Sequence, residues 1–157
     1  MQQQMRWNFF IAGVFIFLAA SSSSILASPE YLKENSMREG VVVLPSGLQY
    51  EIMVEGSGAK PGPRDVVTTH YHGTLIDGSV FDSSVERRAP ASFPLDRVIS
   101  GWTEGLQLMS VGSKWKFFIP PNLAYGDRRI PGIPANSTLI FEVELLAWTE
   151  LIVKDHC

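Results

Sequence analysis

Two histidines flank a tyrosine in His70-Tyr71-His72. Alternate side chains of a strand leave on one side, so the two imidazoles would emerge together, as half of a metal site does. Zinc needs three or four ligands. No third histidine or cysteine accompanies the pair, because His156 and Cys157 lie at the end of the chain. The pair therefore reads as partly solvated strand histidines, and neither metal nor cofactor is expected. Nucleophilic and phosphoryl chemistry are equally unsupported: there is no G-x-S-x-G turn and no Gly-rich loop leading into a lysine. Asn136-Ser137-Thr138 matches an N-glycosylation acceptor, which has meaning only in a eukaryotic secretory pathway.

What stands out is a set of rings. Tyr71, Phe81, Phe93, Trp102, Tyr125 and Phe141 come from separate segments, mostly at turns and strand ends. Core packing accounts for such rings in a small domain. The alternative is an apolar pocket with a polar rim, since Phe81 is followed directly by Asp82. Both readings stand at this point.

The elements that must hold these residues are mostly strands. Leu48, Tyr50, Ile52 and Val54 alternate with Gln49, Glu51 and Glu55, the period of a half-buried strand. Val67, Thr69, Tyr71 and Leu75 share one face of the next strand, and Val66, Thr68, His70 and His72 the other. Asp77-Gly78 signals a hairpin into Val80-Phe81. Residues 83–97, with Pro90 and Pro94, read as irregular. Trp102, Leu106 and Met109 recur at i, i+4 and i+7, which gives one short helix with Gly112 placed to cap it. Trp115, Phe117 and Ile119 mark another strand, residues 121–137 a long loop, and Leu139, Phe141, Val143 and Leu145 the last strand. The expected class is α+β: a curved antiparallel sheet with one short helix on its concave face.

With 157 residues, the chain has room for one domain and a short appendage. Its net charge of −3 argues against a nucleic-acid partner bound through a basic field. A single cysteine excludes an internal disulfide framework. Trp7 to Ala20 is almost wholly apolar, Arg6 precedes it and Ser21 to Ser24 follow, which reads as a secretory signal over 1–27 cleaved after Ala27. The alternative is an uncleaved membrane tether, for which the apolar run is short of the ~20 residues a spanning helix needs. Residues 28–39 then form a polar leader or exposed helical stub, 40–149 the domain, and 150–157 a tail. The expected location is the periplasm.

Four stretches, taken together, resemble a known family. HYHGTLIDGSVFDSS (70–84), VISGWTEGLQLMSVG (98–112), IPPNLAYG (119–126) and PGIPANSTLIFEVELL (131–146) are similar in order and spacing to the FKBP-type peptidyl-prolyl cis-trans isomerases. The opening at 31–50 resembles the junction of exported Mip-like members, with almost nothing left between signal and junction for their dimerisation region, so a monomer is expected. The resemblance implies a five- to six-stranded sheet wrapped around the helix, with a proline pocket between them. It implies Trp102 as the pocket floor and Tyr71, Phe81, Phe93, Val98, Ile99 and Phe141 as walls. Tyr125 would offer its hydroxyl, and Ile99 its backbone N–H, to a bound peptide. Asp82 would lie near the twisted amide, Ile133 in a flap above the pocket, and Arg87 among the substrate-binding residues. Partners would be proline-containing polypeptides and the macrolides tacrolimus and rapamycin. Ala91, Ile130 and Ser100 depart from the family pattern, which bears on substrate preference and inhibitor affinity.

Such a site needs no nucleophile. Rotation about an Xaa-Pro bond faces a barrier of about 18–20 kcal/mol because it breaks amide resonance. The planar amide is more polar than the twisted one, so a dry apolar pocket favours the twisted state. A non-catalytic proline-binding module and a chaperone acting through the flap are the competing readings.

Overall fold

The structure is a computed structural model that describes residues 29–152. The expected signal at 1–27 and the residues His156 and Cys157 lie outside that range. The described chain folds as helix α1 (Pro29–Ser36), strands β1 (Val41–Val43), β2 (Gln49–Val54), β3 (Val66–Thr74), β4 (Val80–Ser83) and β5 (Ala91–Pro94), helix α2 (Ser100–Leu106), and strands β6 (Lys114–Ile119) and β7 (Leu139–Thr149). All strands belong to one antiparallel sheet in the order β1-β2-β6-β7-β3-β4, with β5 also pairing β3. The sheet has seven strands, against the five or six expected. The additional pairing comes from β5, in the stretch read as irregular: between two prolines, Ala91–Phe93 still aligns with Thr69–Val67.

The long strands alternate as their sequence demands. Along β3, Val67, Thr69, Tyr71 and Gly73 are buried, while His70 and His72 face away and contact Ser84 and Ser83 through Nδ1 at 3.1 and 2.9 Å. Trp115 and Phe117 of β6 lie opposite Val143 and Phe141 of β7 and face the core. Strand β2 keeps the expected alternation only in part. Leu48 is buried, but Ile52 and Val54 are 43% and 52% exposed. A bulge follows Ile52, after which Val54 meets only Lys114, the first residue of β6, at the end of the sheet.

Helix α2 has seven residues, two of them glycine, so its intrinsic propensity is poor and packing must hold it. The glycines make that packing possible. A Cβ on Gly101 would stand 2.6 Å from Ile119, and one on Gly105 would stand 2.5 Å from the Phe117 ring. The helix thereby settles directly on β6, burying Trp102 and Leu106. Met109 is also buried but lies beyond the helix, where its N–H bonds to the Leu106 carbonyl in a turn. Gly112 is not the cap. Its N–H reaches the Leu145 carbonyl, and its φ of +91° serves the turn into β6.

Residues 29–36 are helical, yet they are no exposed stub. Asn35 is 4% exposed; its Nδ2 donates to Gln49 Oε1 at 2.8 Å, and Gln49 Nε2 donates to the Leu32 carbonyl at 2.8 Å. Arg38 donates to Asn35 Oδ1 and Glu51 Oε2, and its guanidinium lies 5.8 Å from the Phe118 ring centre. Gln49 pairs across with Phe118, on the side of the sheet opposite to Phe117 and α2. Helix α1 thus covers the back of the sheet, where Phe118 is 1% exposed.

Candidate active site

The concave side opens into a cleft of about 470 Å³. Strand β3 contributes Tyr71, β4 Asp82, β5 Phe93, the segment entering α2 Arg97 to Ser100, α2 Trp102, the loop after β6 Ala124, Tyr125 and Arg128, and β7 Phe141. Trp102 forms the floor at 4% exposure. The surrounding rings meet it edge to face: Tyr71 at 5.4 Å, Phe93 at 5.7 Å and Phe141 at 5.3 Å between centres. This is the favoured arrangement of aromatic quadrupoles, and it fixes each ring by its neighbours. Phe81 in turn meets Phe141 edge to face, 5.3 Å between centres. The approach of these two rings requires Gly73, since a Cβ there would meet Phe81 at 2.7 Å and Phe141 at 2.8 Å.

One polar unit stands on the rim. The Tyr71 hydroxyl donates to Asp82 Oδ2 at 2.6 Å, and Arg87 Nη2 donates to the Tyr71 oxygen at 2.8 Å. Arg87 Nη1 pairs with Asp82 Oδ1, and the guanidinium lies 5.7 Å from the Tyr71 ring centre. Burial alone would raise the Asp82 carboxyl, but the hydrogen bonds from Tyr71 and Arg87 and the guanidinium charge outweigh it and hold it below the usual carboxylate range. Burial and then the Asp82 bond push the Tyr71 hydroxyl up, against the pull of Arg87. Tyr71 therefore keeps its proton and Asp82 its charge. Both carboxylate oxygens are occupied, which suits Asp82 to holding a ring in place rather than to moving protons.

Two further polar groups stand at the cleft. Among the described residues, neither the Tyr125 hydroxyl nor the Ile99 N–H has a hydrogen-bond partner. The Ile99 carbonyl, by contrast, is taken by the N–H groups of Trp102 and Thr103.

Residues 57–146 match the family model described as FKBP-type peptidyl-prolyl cis-trans isomerase, and residues 18–52 match the domain amino terminal to it. The chain belongs to the FKBP-type peptidyl-prolyl cis-trans isomerase family. It is 59% identical over 118 residues to the FKBP-type peptidyl-prolyl cis-trans isomerase FkpA of Aeromonas hydrophila, covering 75% of this chain and 44% of that protein. It is 54% identical to the outer membrane protein MIP of Legionella longbeachae, covering 74% of this chain and 51% of that one. The crystal structure of FkpA from Escherichia coli superposes with a TM-score of 0.74 at 49% identity, covering 76% of this chain and 56% of that one. This FKBP-type chain spans about half the length of the curated relatives it matches.

Within the FKBP-type cleft, Tyr71, Asp82, Phe93, Val98, Ile99, Trp102, Tyr125 and Phe141 of the expected residues converge. Three others do not line it. Phe81, expected as a wall, is not among the residues lining this cleft; its ring packs edge to face on Phe141 above Gly73. Arg87 is engaged with Asp82 and Tyr71 rather than turned to a ligand. Ile133, expected in a flap above the pocket, is 5% exposed and belongs to the core cluster, where a bridge to Ile130 pins its loop. Arg97, Ser100, Ala124 and Arg128 line the cleft without having been picked out as site residues. Their signal was position alone: each lies within three residues of Val98, Ile99 or Tyr125.

Proposed function

We propose that this domain catalyses cis-trans isomerisation of Xaa-Pro bonds in polypeptides. The observation that carries the reading is the cleft itself: an indole floor walled by interlocked rings, with an unengaged N–H at Ile99 and hydroxyl at Tyr125 beside it. The proline ring enters the apolar part, displaces water and lies on Trp102. The two free donors hold the flanking carbonyl groups. The reacting amide then sits where its planar, dipolar form is poorly solvated and its twisted form is not penalised, which lowers the barrier. No covalent intermediate is involved. Asp82 and Arg87 act through Tyr71, whose ring they fix against Trp102. Tacrolimus and rapamycin, which carry a proline-like ring, compete for the cleft.

The domain works on exported polypeptides, as the apolar run Trp7 to Ala20 suggests. Among the described residues no helix is long and apolar enough to cross a membrane. Mass spectrometry of the N-terminus in the producing cell tests export: a first residue at Ser28 is expected, and an intact Met1 would refute cleavage.

The activity is tested with a proline-containing tetrapeptide, following cis-to-trans conversion. Acceleration that tacrolimus abolishes is expected, with a marked loss in Trp102→Ala. Peptide binding of full strength with no acceleration would instead assign a non-catalytic proline-binding module.

A further inference from the structure

Of the charged groups lining the cleft, Asp82 is already neutralised by Arg87, which leaves two guanidinium groups. Arg97 enters from the turn before α2 and Arg128 from the loop after Tyr125. Both are exposed, and neither has a carboxylate within ion-pairing distance among the described residues. Among the described residues, the Arg128 side chain makes one hydrogen bond, a long one of 3.5 Å from Nε to the Tyr125 carbonyl. The chain as a whole is acidic, with a net charge of −3, so this local excess of positive charge runs against its average. On the far side of Val98 and Ser100 the surface continues as a groove of the opposite character, lined by Asp96, Glu104, Thr103 and Gln107. A peptide whose proline rests on Trp102 therefore passes the guanidinium groups at the mouth, and any part of it that runs on along the adjoining groove meets negative charge.

We infer that this rim selects substrates by charge, favouring an acidic side chain on one neighbour of the proline. The inference rests on the isomerase reading. Arg97 and Arg128 are specificity residues in it: they do not touch the rotating bond, but they attract a carboxylate carried close to it. The mouth faces water, so the gain is that of solvent-screened pairs and falls with salt. Opposite-signed rims also reject wrong partners, since an acidic residue directed along the Asp96–Glu104 groove meets like charge.

The test uses two peptide pairs, one with Glu or Gln before the proline and one with Glu or Gln after it, followed by exchange NMR. The quantity read is the Glu-to-Gln ratio of kcat/KM. On one flank the ratio should be about two- to fivefold at low salt and fall towards one at high salt. On the other flank it should be one or below. In Arg97→Gln/Arg128→Gln the favourable ratio should collapse to about one. Ratios near one on both flanks, or a preference that survives the double substitution, overturn the inference. Should neither peptide be isomerised, the isomerase reading fails by itself. The same ratio taken from dissociation constants, read by tryptophan fluorescence, then decides the charge selection.

Discussion

Asp82→Asn isolates the part that the rim carboxylate plays. The substitution keeps the shape of the side chain but removes the charge that Arg87 pairs with and weakens the acceptor for the Tyr71 hydroxyl. A hydrogen bond to an ionised acceptor contributes about 1.5–3 kcal/mol when shielded. The Asp82 side chain is 44% exposed, so water competes. About 1 kcal/mol is the expected loss, equivalent to about fivefold in the population of correctly held Tyr71. The assay is kcat/KM on a tetrapeptide, measured for Asp82→Asn, Tyr71→Phe and the two together. Each single variant should fall about fivefold. Because Asp82 acts through the Tyr71 hydroxyl, the double variant should be little worse than either single one. Multiplying losses, near twenty-five-fold in the double variant by the same estimate, would refute this and give Asp82 a role at the amide itself.

Protonation offers a second check on the same carboxylate. Its folded-state pKa lies below the usual range, so its contribution to stability is complete above the unfolded value and disappears as pH falls through the folded one. The gap in urea midpoint between the native chain and Asp82→Asn should hold steady at pH 5–7 and close below about pH 4. Activity should be flat from about pH 5 to 8, since no group in the proposed reaction has to gain or lose a proton. Gly73→Ala should destabilise by about 1–3 kcal/mol in urea melts and lower activity, because its Cβ drives Phe81 and Phe141 apart. Asn35→Ala should cost about 1–3 kcal/mol by leaving the buried Gln49 amide short of a partner, while kcat per folded molecule stays unchanged.

What the sequence displayed and what it hid divide along the distance between partners. The alternation in β3, β6 and β7 is local, so the buried faces carrying Tyr71, Trp115 and Phe141 could be read directly. Gln49 could not: a polar residue in a strand reads as solvent-facing, and its partner Asn35 lies fourteen residues earlier on another element. Strand β5 was concealed by Pro90 and Pro94, which mark breaks, although the pairing of Ala91–Phe93 with β3 survives between them. Phe81 shows the limit of motif reasoning. Its neighbour Asp82 lines the cleft, whereas Phe81, one residue earlier, packs edge to face on Phe141. Arg97 and Arg128 stood out by neither period nor motif, and only the fold brings two exposed arginines, thirty-one positions apart, to one opening.

Helix α1 has a mechanical consequence. Whatever precedes Pro29 joins the domain through a helix fastened to β2, next to the edge of the sheet, by Asn35, Gln49 and Arg38. A pull from that end is therefore borne at the rear of β2 and β6, across the sheet from the ring-lined opening. The ring-lined cleft stands clear of that load path.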